Sequence, residues 1–159
     1  MRPAELHEPV ILARGSGDLL LRAMPASDGI GDPQVSWAIE GGGRRIIHGG
    51  DTLWHGHWWN IARAYGPFDC AFLPINGMRY RLGRFVGSDV PISLTPLQAV
   101  TAAKILGAKT VCPIHYGLFG NDSDYMEFPD AEAEFLREAE RQGVRAQLVK
   151  PGDWLEWPQ

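Results

Sequence analysis

Apolar residues in this chain come in short runs cut by glycine, proline and aspartate, and their period changes from run to run. Read from Asp18 onward, DLLLRAM is short, apolar and closed by Pro25, which predicts a strand over Asp18 to Met24, followed by the loop PASDGIGDP. Val35 to Glu40 and Arg45 to His48 are two β-type runs joined by a glycine turn, the pattern of a hairpin. The period then lengthens. Trp58, Ile61, Ala62 and Tyr65 recur at three- and four-residue steps, predicting a short amphipathic helix between His57 and Tyr65 that Gly66-Pro67 ends. Asp69 to Ile75 is an apolar run too short for most helices, and suits a strand buried on both faces.

Thr95-Pro96-Leu97-Gln98 combines an N-cap threonine, proline at the first helical position and glutamine where a capping box needs it. A helix should run from there to Leu106 and stop at Gly107. Thr110 to Ile114 reads as another buried strand leading straight into His115. A last helix, from about Asp130 to Gln142, begins with Asp and Pro start signals, is acidic early and basic late, and ends at Gly143. Alternation over Val144 to Val149 predicts a half-exposed edge strand. Strands alternating with helices in this order give an α/β layered fold, a mixed sheet with flanking helices.

The 159 residues fit one domain, and 45% hydrophobic against 21% charged content predicts a folded core. Fifteen Lys and Arg against nineteen Asp and Glu leave a net charge of -4, which offers no general attraction to nucleic acid or anionic lipid. Cys70 and Cys112 each sit in an apolar run, as buried thiols of a reducing compartment do, so a disulfide framework is not expected. No leader-like apolar segment or run of spanning length occurs, and the expectation is a soluble cytoplasmic protein.

Asp28, Asp51 and His115 each follow a predicted strand, where loops display functional groups from a rigid sheet. Carboxylate oxygen and imidazole nitrogen are donors that zinc, manganese and iron accept, although an aspartate or histidine at a strand end is also a common turn former. His55 and His57 lie just past Asp51, either lining a substrate pocket or packed among the tryptophans around them. Asn76, Arg79 and Tyr116 also follow strand ends. Arg79 and Asn76 could orient a carboxylate or phosphate, or belong to a solvated basic loop. His7 is given no role, in a start expected to be mobile.

The string GGDTLWHGHWWNIARAYGPFDCAFLPI resembles the Gly-Asp-Thr block of metallo-β-lactamase-fold hydrolases, and TPLQAVTAAKILGAKTVCPIHYGLF resembles the block that ends at the last metal-binding histidine of the same superfamily. The similarity is closest to the branch containing ascorbate-6-phosphate lactonase and N-acylphosphatidylethanolamine phospholipase D. It implies the C-terminal half of an αββα sandwich, with Asp51 bridging two metals and His115 binding the second. Where the family has a histidine ligand near a Pro-Ala segment, this chain has PASDG, so Asp28 takes that place. An oxygen donor there would favour manganese or iron over zinc, which is otherwise the first expectation.

The superfamily's His-x-His-x-Asp-His motif, which lies N-terminal to these blocks, does not occur in this chain. What the resemblance implies is therefore a metal-dependent hydrolase of esters, lactones or phosphoesters with an incomplete site, weak metal binding and little turnover of any small-molecule substrate. Three arrangements fit. The chain is a fragment whose N-terminal half is encoded upstream, a non-catalytic relative serving as a binding or assembly module, or a self-associating half-domain.

Overall fold

The computed structural model describes residues 4–14, 17–28, 34–81, 86–117 and 124–157. Seven of its nine strands form one mixed sheet in the order β1-β2-β3-β4-β5-β7-β9, where β1 is Pro9–Arg14, β2 Gly17–Ala26, β3 Gln34–Gly41, β4 Arg44–His48, β5 Cys70–Pro74, β7 Thr110–Ile114 and β9 Arg145–Ala146. The first four are an antiparallel meander, and β4, β5, β7 and β9 run parallel to one another. Two short strands, β6 (Arg79–Tyr80) and β8 (Tyr125–Met126), pair separately.

The helices α1 (Trp58–Tyr65), α2 (Pro96–Ile105) and α3 (Ala131–Gln142) supply the connections that parallel strands require. Ala38, Ile47, Ala71, Leu73 and Val111 of the sheet share a buried cluster with Trp58, Ile61, Val100, Ala103 and Phe135 of the helices. All three helices thus cover one face of the sheet. Among the described residues no helix is long and apolar enough to cross a membrane.

Local chemistry accounts for the element ends. The β3–β4 hairpin turns on Gly42 and Gly43, both at positive φ, the two-residue turn whose twist matches a hairpin. Thr95 closes the full capping box on α2, accepting from the Gln98 amide while Gln98 accepts from the Thr95 amide. Asp69 joins the start of the parallel strands, accepting from the Arg45 amide and the Lys109 ammonium, each at 2.8 Å.

Four expectations need correction. The opening segment, to which no element was assigned, contains β1, which forms by pairing its backbone with β2 from Pro9 to Arg14 although its side chains from Pro9 to Ala13 are exposed. The predicted edge strand over Val144 to Val149 shrinks to Arg145–Ala146, since it pairs with β7 at only two positions. Asp130 adopts a left-handed conformation (φ 49°) and makes no side-chain cap on α3. His7 is not loose, because its ring stacks on Tyr65 and its Nδ1 lies 3.1 Å from the phenol oxygen. Residues 29–33 of the predicted loop after Pro25 lie outside the described residues.

Candidate metal centre

The C-terminal ends of β4 and β7 bring Asp51 and His115 together. Both parallel strands point the same way, so the loops that follow them meet at one edge of the sheet although 64 residues of chain separate the two side chains. His115 Nδ1 stands 3.7 Å from Asp51 Oδ1, and the two side chains are 39% and 54% exposed. His115 adopts φ 58°, a left-handed conformation that is costly for a residue with a Cβ and concentrates at functional sites. Gly50, at φ 68°, turns the chain so that Asp51 leaves the end of β4 toward His115.

His48, to which no role was assigned from the sequence, belongs to the same edge. Its Nδ1 accepts from the Gly50 amide at 3.1 Å and its ring stacks on Phe72. Desolvation first, and the nearby His115 second, hold its pKa below the ordinary value. The hydrogen bond to Nδ1 leaves Nε2 to carry the proton of the neutral ring.

A buried polar network underlies this edge. Asn76, 3% exposed, accepts from Ser93 Oγ at 2.6 Å and donates through Nδ2 to the Tyr125 phenol at 3.2 Å. The Met78 amide donates to Ser93 Oγ, and the Phe128 amide to the Asn76 carbonyl. Burial raises the pKa of Tyr125 above its usual value despite the bond from Asn76, and the charges of Glu127 and Asp51 add to the rise. Tyr125 therefore keeps its proton next to Asp51. Glu127 also accepts from the Gly117 amide, two residues past His115. Tyr125 and Glu127 had no signal in the sequence, since β8 is two residues long and forms only by pairing with β6.

The remaining candidates separate from the Asp51–His115 pair in different ways. Asp28 follows Ser27, whose carbonyl accepts from the Leu53 amide at 2.7 Å, so it borders the same end of the sheet. Among the described residues, however, no three His, Cys, Asp or Glu side chains gather into a ready metal site, and Asp28 does not complete one with the pair. His55 stacks on Trp58 at 4.1 Å with an interplanar angle of 14°. Burial, then the charge of His57, lowers its pKa to about 4. His57 is exposed at the N-cap of α1, its amide donating to His55 Nδ1. Tyr116 packs against the core and bonds to Glu132 of α3, burial being the first cause of its raised pKa. Asn76 is a buried network member and not part of a solvated loop, whereas Arg79 sits half-buried in β6, opposite Met126.

The donor set suits a divalent cation. Two ligands held at about 2.1 Å in a tetrahedral sphere stand about 3.4 Å apart, close to the observed separation of Asp51 and His115. A hard carboxylate with an imidazole accommodates zinc, manganese or iron, and one or two further donors are needed for any of them.

A family model described as beta-lactamase superfamily domain matches residues 1–116. A metal-dependent hydrolase of Rubrobacter xylanophilus is 32% identical over 115 residues, which are 71% of this chain and 39% of that protein. One of Thermococcus kodakarensis is 33% identical over 136 residues, 82% of this chain and 50% of its own length. The chain thus spans half or less of these relatives. Among solved structures, a metallo hydrolase of Ignicoccus hospitalis superposes with a TM-score of 0.68 at 25% identity, covering 94% of this chain and 57% of that one. CmlA, a diiron β-hydroxylase of Streptomyces venezuelae, shares the fold with a TM-score of 0.63 at 16% identity, over 92% of this chain and 33% of its own.

Proposed function

Because this chain belongs to the beta-lactamase superfamily domain family, we propose that it contributes Asp51 and His115 as donors to a divalent metal in a hydrolase of esters, lactones or phosphoesters. The observation that carries the reading is the 3.7 Å approach of an aspartate and a histidine 64 residues apart in the chain, at one edge of the sheet. When bound, such a metal supplies Lewis acidity and activates water for attack on a carbonyl or phosphoryl centre.

The chain's own residues have separable tasks. Asp51 brings the negative charge that a dication requires, and His115 brings a neutral nitrogen donor. The Tyr125 phenol, accepting from Asn76 and hydrogen-bonded to Glu127, keeps its proton through burial and holds the polar network in place under this edge. Zinc is the first candidate, with manganese and iron next, because the donor chemistry accepts all three and a relative by fold is a diiron protein. The substrate is a small molecule, and the lactonase and phospholipase D branch supplies the first compounds to try.

The test is metal retention. After incubation with zinc or manganese and gel filtration, the wild-type chain should carry bound metal, and the double variant Asp51→Ala, His115→Ala should carry at least tenfold less. Equal retention by the two proteins would falsify the assignment. A second reading, a non-catalytic binding or assembly module, draws support from the exposure of both donors. It predicts metal binding with no hydrolysis of any ester, lactone or phosphoester panel member.

A further inference from the structure

Asp51 and His115 both stand beyond the hydrogen-bonded ladder of the sheet, so strand pairing alone does not set the distance between them. The β4–β5 pairing reaches His48, opposite Phe72, and the Gly49 amide adds one more bond to the Phe72 carbonyl at 2.8 Å. The β5–β7 pairing reaches Ile114, opposite Pro74, and the Ile75 amide adds one to the Ile114 carbonyl at 3.1 Å. Past these points the 3.7 Å approach depends on contacts between loops. β5 lies between β4 and β7 in the sheet, so the chain that leaves its end is placed to touch both donor loops.

Asn76, two residues past β5, bonds in both directions. Toward Asp51, its Oδ1 accepts from Ser93 Oγ at 2.6 Å, and the next residue, Leu94, donates its amide to the Thr52 carbonyl at 2.9 Å, directly after Asp51. The Gly77 amide donates to the Leu94 carbonyl and the Met78 amide to Ser93 Oγ, which joins residues 76–78 and 93–94 into one unit. Toward His115, the Asn76 carbonyl accepts from the Phe128 amide at 2.6 Å and its Nδ2 donates to the Tyr125 phenol at 3.2 Å, fixing the chain on either side of Glu127. Glu127 Oε2 then accepts from the Gly117 amide at 3.2 Å. Thr52, Asn76, Ser93 and Glu127 are all buried.

We propose that Asn76 is a positioning residue that sets the spacing of Asp51 and His115, by tying the Thr52 and Gly117 backbones to the end of β5.

His115 is left-handed at φ 58° and Gly117 at φ 69°. A histidine keeps such a backbone only where its surroundings hold it. Here the Ile75 amide holds the carbonyl before His115 and Glu127 holds the amide two residues after it, and both holds come from residues next to Asn76 or fixed by it. Asn76 itself is 3% exposed, so it acts through its partners and not on a substrate. Its residue type is specific. Oδ1 accepts and Nδ2 donates, each to a different segment, and a buried amide is stable only with those bonds made. Aspartate lacks the Nδ2 donor, and alanine lacks both groups. The consequence for the metal rests on the reading of Asp51 and His115 as its donors; the spacing itself does not.

The zinc dissociation constant of the full chain, read by competition with a chromophoric chelator, should rise about tenfold or more in Asn76→Ala, the scale on which groups that orient metal ligands act. Glu127→Ala should do the same, and Glu127→Gln, which keeps an oxygen for the Gly117 amide, should return to within about threefold of wild type. Asp69→Asn, which loosens the opposite end of the strands, should bind zinc as the wild type does, so lost stability alone does not produce the effect. If Asn76→Ala fails to fold, Ser93→Ala removes the hydroxyl that links Asn76 to the Asp51 side and takes its place. Without metal, amide hydrogen exchange at Leu94 and Gly117 should quicken about tenfold in Asn76→Ala, while Leu106, bonded to Ala102 at the end of α2, keeps its rate. Folded variants with wild-type zinc affinity overturn the proposal. A Glu127→Gln chain as weak as Glu127→Ala overturns it too, because the effect would then be one of charge. If the wild type binds no zinc, the reading of the two donors falls and exchange decides the positioning: unchanged rates at Leu94 and Gly117 overturn it, and quickened rates sustain it.

Discussion

His55 shows how one packed ring couples stability to pH. Stacked on Trp58 and desolvated, it titrates at about 4 when folded against an ordinary 6.5. The unfolded chain therefore binds more protons between those values, and the stabilisation is complete above pH 6.5 and is lost as the pH falls towards 4. Discounted for the ring's partial exposure, the loss should be about 1–2 kcal/mol. Urea unfolding at several pH values should show a shallower slope in that window for His55→Phe, which keeps the stack and removes the titration; an unchanged slope would assign it elsewhere. Asp69 has the opposite sign. The hydrogen bond from Lys109, then that from the Arg45 amide, hold its carboxylate below the usual 3.8, so its contribution is present above that pH and lost as acid protonates it. Asp69→Asn should cost about 1–3 kcal/mol at neutral pH, because the buried Arg45 amide and the Lys109 ammonium lose a charged acceptor. At the functional edge, the sequence alone offered Asp51 and His115 as strand-end residues, but His48, Tyr125 and Glu127 join them through contacts between loops that no local pattern announces.

At the scale of elements, the agreement between pattern and structure follows the strength of the local signal. Thr110–Ile114 is observed with the bounds the apolar run predicts, and α2 starts on its full capping box. Thr95→Ala should lower stability by about 1 kcal/mol, read as a shift in urea midpoint with an unchanged slope, since it removes the acceptor for the Gln98 amide without touching the core. The elements that were missed or overextended are those whose existence depends on a neighbour. β1 is an exposed edge strand, β6 and β8 have two residues each, and β9 stops where its pairing with β7 stops. Their hydrogen bonds are all made to other strands, so sequence spacing within them carries little information.

For the whole molecule, the sheet has one face buried under three helices, and its other face leaves Val10, Leu12 and Leu19 exposed at the β1–β2 end. The sequence by itself determined the alternation of strands and helices, the hairpin, the capped helix and the pair of strand ends carrying Asp51 and His115, because period, caps and turns act within a few residues of chain. Only the tertiary structure decided that β4, β5 and β7 lie side by side and parallel, that Asp51 and His115 come within 3.7 Å, and that Asp28 does not gather with them into one donor set. The physical reason is that those facts depend on which strands pair and in what register, and pairing is settled by burial summed over the whole sheet.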